Sequence, residues 1–238
     1  MTQTLQVVTT PFGKFQIQPD DLIGMTIATG QLWDGAGFLE VIFADHYEPR
    51  TTLIDIGANI GSFSVYAAFH GATKVVAVEA IPETAQMLRS SLNLNRFCDN
   101  VVVPLEIAAF DHYTLLSIAG FDPSNLGATA LRVPLWPEDK KIPAAPLDDY
   151  RWLFGDRVSL IKCDVQGCDL RALRGLVKTI KRDRPAIVFE WEAALAANLG
   201  DTWADMEALM QGLRYEIKAW PTHPNNFLAL PLRTRRND

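Results

Sequence analysis

Residues 51–61 read TTLIDIGANIG, and Glu79 closes the next apolar run. Leu53, Ile54 and Ile56 make a short buried strand that carries Asp55 and delivers Gly57, Ala58, Asn59 and Gly61 into a turn before a helix. Such a turn lets backbone approach a nucleotide-like ligand. A carboxylate about 20 residues further on, at the tip of a second strand, is placed to accept hydrogen bonds from a ribose diol. Glycines also serve ordinary strand-to-helix turns, so they point to a ligand only in company with Glu79.

The spacing also says which ligand to expect. Gly57-Ala58-Asn59-Ile60-Gly61 is G-x-x-x-G rather than the G-x-G-x-x-G that seats a pyrophosphate, and no Lys-Ser/Thr phosphate cradle accompanies it. Asp55, just upstream, repels phosphate and suits an ammonium. S-adenosylmethionine has a sulfonium, an α-amino group and no phosphate, so it fits this loop better than NAD or ATP.

Around this nucleus the chain alternates. Helix Ser62–His70, strand Lys74–Glu79, a helix opened by Pro82 and continued over Glu83–Asn95, and strand Val101–Ala108 give β-α-β-α-β, the order that builds a parallel sheet with right-handed crossovers. Strand Ser159–Val165, helix Asp169–Lys181 and strand Pro185–Glu190 resume it. Helix Thr202–Leu213 and strands Tyr215–Ala219 and Phe227–Leu230 close the chain.

Two segments stand outside the rhythm. An N-terminal extension, residues 1–50, reads as strands Thr4–Thr10 and Lys14–Ile17 about a Pro11-Phe12-Gly13 turn. A mixed stretch follows, with Trp33-Asp34, a Gly35-Ala36-Gly37 break and a helix bearing Phe38, Leu39, Val41, Ile42 and Phe43. Residues 110–149 form an insertion: strands Thr114–Ala119 and Ala128–Val133 flank Phe121-Asp122-Pro123-Ser124-Asn125-Leu126-Gly127, and a proline-rich run extends from Pro134 to Pro146. A hairpin and loop over the ligand side of the sheet is expected there.

At 238 residues and 48% hydrophobic composition the chain can bury one sizeable core, and one domain is expected. A net charge of −6 and a pI near 5.2 argue against a nucleic-acid partner, and Arg233, Arg235 and Arg236 read as a solvated tail. No secretory leader is evident, and no run approaches about 18 apolar residues, so no membrane partner is expected. Cys98, Cys163 and Cys168 have no C-x-x-C spacing, and a cytoplasmic setting is expected.

The run Leu53-Ile54-Asp55-Ile56-Gly57-Ala58-Asn59-Ile60-Gly61-Ser62-Phe63-Ser64 resembles the opening motif of FkbM-type S-adenosylmethionine-dependent methyltransferases. Leu160-Ile161-Lys162-Cys163-Asp164-Val165-Gln166-Gly167-Cys168-Asp169 is similar to that family's I-K-x-D-V-E-G-x-E segment, and Pro185-Ala186-Ile187-Val188-Phe189-Glu190 to its strand ending in glutamate. Trp33-Asp34, Asn125-Leu126-Gly127 and Leu147-Asp148-Asp149 are further echoes. Gln166, Asp169 and Asp34 each stand where the family usually has glutamate. The resemblance implies a doubly wound, Rossmann-like class I methyltransferase sheet of seven strands with helices on both faces. It also implies methyl transfer to a hydroxyl on a sugar, polyketide or related small molecule.

Ligands of such sheets bind at the carboxyl ends of the strands. Asp55, Gly57, Ala58, Asn59, Gly61, Phe63, Glu79, Ala80, Glu106, Ala108 and Asp164 are therefore the expected cofactor residues, with Glu79 on the ribose and Glu106–Ala109 near the adenine. Methyl transfer is an in-line displacement, so alignment dominates, and a hydroxyl acceptor must also lose a proton. Asp164 is the expected general base or acceptor-orienting group, with a pairing to Lys162 as its structural alternative. His223, in the turn after the sixth strand, is a second candidate base. Asp164 and Glu190 could share a divalent cation, although two carboxylates without a third ligand define no site. Two other classes compete: a methyltransferase fold that has lost catalysis and serves as a binding module, and a nicotinamide-dependent oxidoreductase, whose glycine spacing is absent.

Overall fold

The computed structural model describes residues 5–32, 37–120 and 124–232. Thr4, Trp33-Asp34, Gly35-Ala36, Phe121-Asp122-Pro123 and the arginines Arg233, Arg235 and Arg236 lie outside the described residues.

Strands β1 (Gln6–Thr10) and β2 (Gly13–Ile17) form an antiparallel hairpin, followed by helices α1 (Leu22–Ala28) and α2 (Phe38–His46). The alternating core then runs β3 (Thr52–Ile56), α3 (Ser62–Phe69), β4 (Lys74–Val78), α4 (Pro82–Leu94) and β5 (Val102–Leu105). Next comes β6 (Ala108–Ala109), and the insertion supplies β7 (Thr114–Ile118), β8 (Leu131–Arg132) and β9 (Lys141–Ala145). Then come β10 (Val158–Cys163), α5 (Asp169–Arg174), α6 (Val177–Asp183), β11 (Ala186–Glu190), α7 (Ala193–Ala196), α8 (Trp203–Leu213), β12 (Tyr215–Trp220) and β13 (His223–Pro231).

The main sheet has seven strands in the order β12-β13-β11-β10-β3-β4-β5, all running in one direction except β13, which is antiparallel to both of its neighbours. Strand order reverses between β3 and β10, which opens a crevice at their carboxyl ends. This is the expected doubly wound Rossmann-like sheet. Side chains alternate across it: Leu53, Val75, Leu160 and Val188 face the hairpin and α2–α4, while Ile54, Ile56, Val76, Ile161, Ile187 and Phe189 face α5, α6 and α8.

Several expected boundaries move, each for a local reason. The third strand stops at Leu105 rather than Ala108, because Ala108–Ala109 leaves to pair with β9 in a second sheet of order β6-β9-β7-β8. The insertion thus contributes three strands, β7, β8 and β9, which join β6 in a four-stranded sheet, rather than a hairpin with a loop. Its strand β9 hides in the proline-rich run. Pro143 pairs across to Leu115 of β7 but precedes the residues that meet β6, so its missing N–H falls where the strand is still free on that side. The helix expected over Asp169–Lys181 breaks at Gly175, where a Cβ would lie 2.0 Å from the Phe110 carbonyl oxygen. Asp148 restarts it as α6, accepting from the Lys178 and Thr179 amides at 2.8 and 2.9 Å and from the Thr179 hydroxyl at 2.7 Å.

Helix α1 was not separable in the sequence from its mixed surroundings, and its cap explains why it forms. Asp21 is 1% exposed; one oxygen accepts the Gly24 amide at 2.8 Å and the other the Leu126 amide at 2.8 Å. One carboxylate therefore caps α1 and pins the insertion to it, assisted by Leu22 N–H donating to the Ser124 carbonyl at 3.0 Å. Asp21→Ala strands both amides and should lower stability by about 2 kcal/mol, with Asp21→Asn costing less; urea unfolding midpoints provide the check.

Candidate active site

The register of β3 on β10 sets Lys162 directly opposite Asp55, on the face of the sheet that carries Leu53 and Leu160. Asp55 is fully buried. It accepts from the Ser64 hydroxyl at 2.6 Å and sits 3.4 Å from the Lys162 ammonium. That ammonium also donates to the Gly57 carbonyl at 2.6 Å and lies 3.6 Å from Asp164. Burial works against its charge, but the Asp55 and Asp164 carboxylates overcome that and hold Lys162 above its ordinary range. Both readings of Asp164 therefore meet in one residue: it pairs with Lys162 and it reaches the crevice.

The loop after β3 is closed by its own hydrogen bonds. Gly57 and Ala58 N–H donate to the Val78 carbonyl at 2.9 and 3.0 Å, Asn59 N–H to Glu79 at 2.9 Å, and Ile60 N–H to the Asn59 side chain at 2.7 Å. With those amides satisfied, the loop offers no phosphate nest, as the glycine spacing suggested. The glycines answer to packing. Gly57 has φ +75° and a Cβ on it would lie 1.8 Å from the Asp164 carbonyl oxygen; Gly61 has φ +94° and faces Leu88 at 2.7 Å.

Glu79 stands at the tip of β4, 7% exposed, with one oxygen on the Asn59 amide and the other on the Ile81 amide at 2.8 Å. Burial raises its pKa, and the two amides oppose the shift. Each oxygen keeps a lone pair for a further donor.

These strand ends border a cavity of about 370 Å³. Gly57, Ala58, Asn59, Phe63, Glu79, Ala80, Ala108 and Asp164 line it as expected, joined by Lys162, Gln166 and Glu190. Three expected residues stand elsewhere. Asp55 is sealed behind Lys162 and Gly61 sits behind the loop, so both act on the site through its shape. Glu106 is exposed and outside the lining, and Ile107, Ala108 and Ala109 supply that wall instead.

His223 begins β13 rather than occupying a turn, and it stacks on Phe38 in the cavity wall with ring centroids 5.5 Å apart. Trp191, the neighbour of Glu190, is buried in the core against Trp203. The far side of the cavity comes from Ile23, Leu39 and the segment Asn125–Thr129. Only the Asn125-Leu126-Gly127 echo hinted at them.

Asp164 and Glu190 are bridged by an amide rather than arranged around a cation. Gln166 Nε2 donates to Asp164 at 3.2 Å and to Glu190 at 2.7 Å, and among the described residues no group of three or more His, Cys, Asp or Glu side chains could hold a metal ion. The place between the two carboxyls, which two carboxylates alone did not define as a metal site, is taken by a hydrogen-bond donor. Burial and the neighbouring Asp164 charge push the Glu190 pKa up, and they push Asp169, 1% exposed beneath the turn, up to about 8.

The chain matches the Methyltransferase FkbM domain over residues 55–217, more than half its length. It belongs to the FkbM methyltransferase family. Among solved structures it is similar to methyltransferase FkbM from Methylobacillus flagellatus, at 18% identity and a TM-score of 0.53 over 76% of this chain and 43% of that one. The chain thus spans less than half of that relative. It also resembles the ribosomal protein L11 methylase of Lactobacillus delbrueckii subsp. bulgaricus (14% identity, TM-score 0.51, covering 86% of this chain and 81% of that one). SMU.1697c of Streptococcus mutans, solved with S-adenosylhomocysteine, is similar at 10% identity and TM-score 0.51, covering 81% and 94%. At these identities the likenesses show the fold. No curated protein matches the chain. No helix among the described residues is long and apolar enough to cross a membrane.

Asp169 gives this FkbM-family site a pH signature. Folded, it keeps its proton up to about pH 8, whereas an unfolded aspartate loses it at about pH 4. Between those values the folded state binds more protons, so stability falls as pH rises through the window and levels off above it. Asp169→Asn should remove part of that slope in urea midpoints measured across the window; an unaltered slope would show that Asp169 does not contribute.

Proposed function

We propose that this FkbM-family protein uses S-adenosylmethionine to methylate a hydroxyl on an uncharged small metabolite, such as a sugar or polyketide. The observation that carries the reading is the position of Asp164. Its carboxylate is at the open end of β10, with the side chain 33% exposed, in the same cavity as Glu79.

The residues present suit the cofactor. Glu79 has lone pairs left for a ribose diol, the apolar Ile81 and Ile107–Ala109 offer a flat wall for an adenine, and the satisfied loop amides disfavour a phosphate. When bound, S-adenosylmethionine supplies a methyl group activated by its sulfonium. The chain's own part is to hold the acceptor oxygen in line and to accept its proton, for which Asp164 is placed. Carboxyl groups of Glu79, Asp164 and Glu190 border the cavity, and its ammonium, Lys162, already serves Asp55, Gly57 and Asp164. Such a lining disfavours phosphorylated or acidic acceptors and, with the net charge of −6, supports a small neutral partner over a nucleic acid.

Calorimetric titration with S-adenosylmethionine and S-adenosylhomocysteine, followed by an acceptor screen over glycosides and hydroxylated metabolites, tests the reading. Saturable one-site binding and methylation of neutral acceptors are expected; no binding of either ligand would overturn it. Glu79→Ala should weaken S-adenosylhomocysteine binding by roughly tenfold or more, the value of one or two charge-assisted hydrogen bonds. Asp164→Asn should lower kcat by roughly 100-fold or more while changing cofactor affinity little. Full turnover in that variant would eliminate Asp164 as the base.

A further inference from the structure

The turn after β10 is built to carry Gln166 back over two strand tips. Gln166 has φ +49°, a left-handed conformation that disfavours any residue bearing a Cβ, and Gly167 follows at φ +91°. A Cβ on Gly167 would lie 2.6 Å from Leu195, so the turn is locked against α7. Both hydrogens of the Gln166 amide are then spent, one on Asp164 Oδ1 and the other on Glu190 Oε2. Burial and the adjoining Asp164 carboxylate push the Glu190 pKa up, so the clasped carboxyls resist carrying two charges together. All three side chains line the cavity.

We infer that Asp164 and Glu190, clasped by Gln166, act as one proton-accepting unit that carries a single proton before the methyl donor binds and gives it up when the sulfonium is brought in. The base is then armed by S-adenosylmethionine and not by S-adenosylhomocysteine. The inference rests on the cofactor reading above and adds to it a role for Glu190 as the partner of the base and for Gln166 as a positioning residue.

The surrounding charges favour this. Lys162 on β10 is the nearest ammonium, 3.6 Å from Asp164, but it also answers to Asp55 on β3 at 3.4 Å. Glu192 beyond β11 adds negative potential at Glu190, Asp169 on α5 stays protonated at neutral pH, Glu79 on β4 borders the same cavity, and His223 faces it from β13. A second negative charge on the pair is therefore disfavoured until a cation enters, and a sulfonium is a cation that S-adenosylhomocysteine lacks. The cycle balances. The first proton leaves to solvent on donor binding. In the transfer the acceptor's O–H bond breaks, its oxygen pair forms the new O–C bond as the C–S bond breaks onto sulfur, and the acceptor proton returns the unit to its starting state.

Calorimetry in phosphate and in Tris at near-neutral pH reads the protons released, because the two buffers differ in ionisation enthalpy. S-adenosylmethionine should release about one proton more than S-adenosylhomocysteine. Glu190→Gln should abolish the difference, and Gln166→Met, similar in length but without the donors, should reduce it, each with an unchanged circular dichroism spectrum. Equal proton release for the two ligands in the unaltered protein, or a difference that survives Glu190→Gln, overturns the proposal. A difference unaffected by Gln166→Met removes Gln166 from it. Failure of both ligands to bind overturns the cofactor reading instead, so the two failures are distinguishable.

Discussion

The buried contact of Lys162 with Asp55 is the constraint on which the rest of the site depends. It exists because β3 and β10 are adjacent at the reversal of strand order and because their register sets these two residues opposite each other. Removing one partner of such a buried pair typically costs about 3–5 kcal/mol, since it leaves an uncompensated charge. The same ammonium holds the Gly57 carbonyl and faces Asp164, so one side chain fixes the glycine loop, the Asp164 carboxylate and the strand pairing together. Asp55 thus anchors the cation that shapes the loop.

This organisation explains what could be read in the sequence. Strands β3, β4, β10 and β11 are dominated by Val, Ile, Leu and Phe, a pattern that fits strands buried on both faces, and Gly57 marks the turn that ends β3. Glu79 and Asp164 were legible for the same reason, each being the first carboxylate past a buried run. The direction of Asp55 was also available in principle. It alternates with Ile54 and Ile56 and shares a face with Leu53, which points it into the layer beneath α3 rather than toward the strand tips.

What stayed hidden depends on contacts distant in sequence. Helix α1 is short, and its cap is completed by the Leu126 amide, 105 positions away. The break at Gly175 is dictated by the Phe110 carbonyl, and no local pattern records that neighbour. Strand β9 was masked by Pro143, which usually argues against a strand and here sits just before pairing with β6 begins. The exposure of Glu106 follows from the chain turning at Leu105 toward the second sheet, a change of direction that β-propensity does not report.

The two halves of the cavity are consequently held by different kinds of interaction. The side formed by Gly57–Asn59, Glu79 and Asp164 belongs to the main sheet, and any displacement there must disturb buried strand pairing or the Lys162 contacts. The opposite side, formed by Ile23, Phe38, Leu39 and Asn125–Thr129, belongs to the N-terminal extension and the insertion, joined through Asp21 and the close fit of Gly127 on Ile23. Substitutions there can reshape the space available to an acceptor while leaving the strand register intact. Gln166 lies at the boundary. It is carried by a turn of the main sheet, and its amide, unlike a carboxylate, can donate to both acids at once. An acid at this position would bring three carboxyls together, which would repel one another, whereas the amide makes a clasped pair.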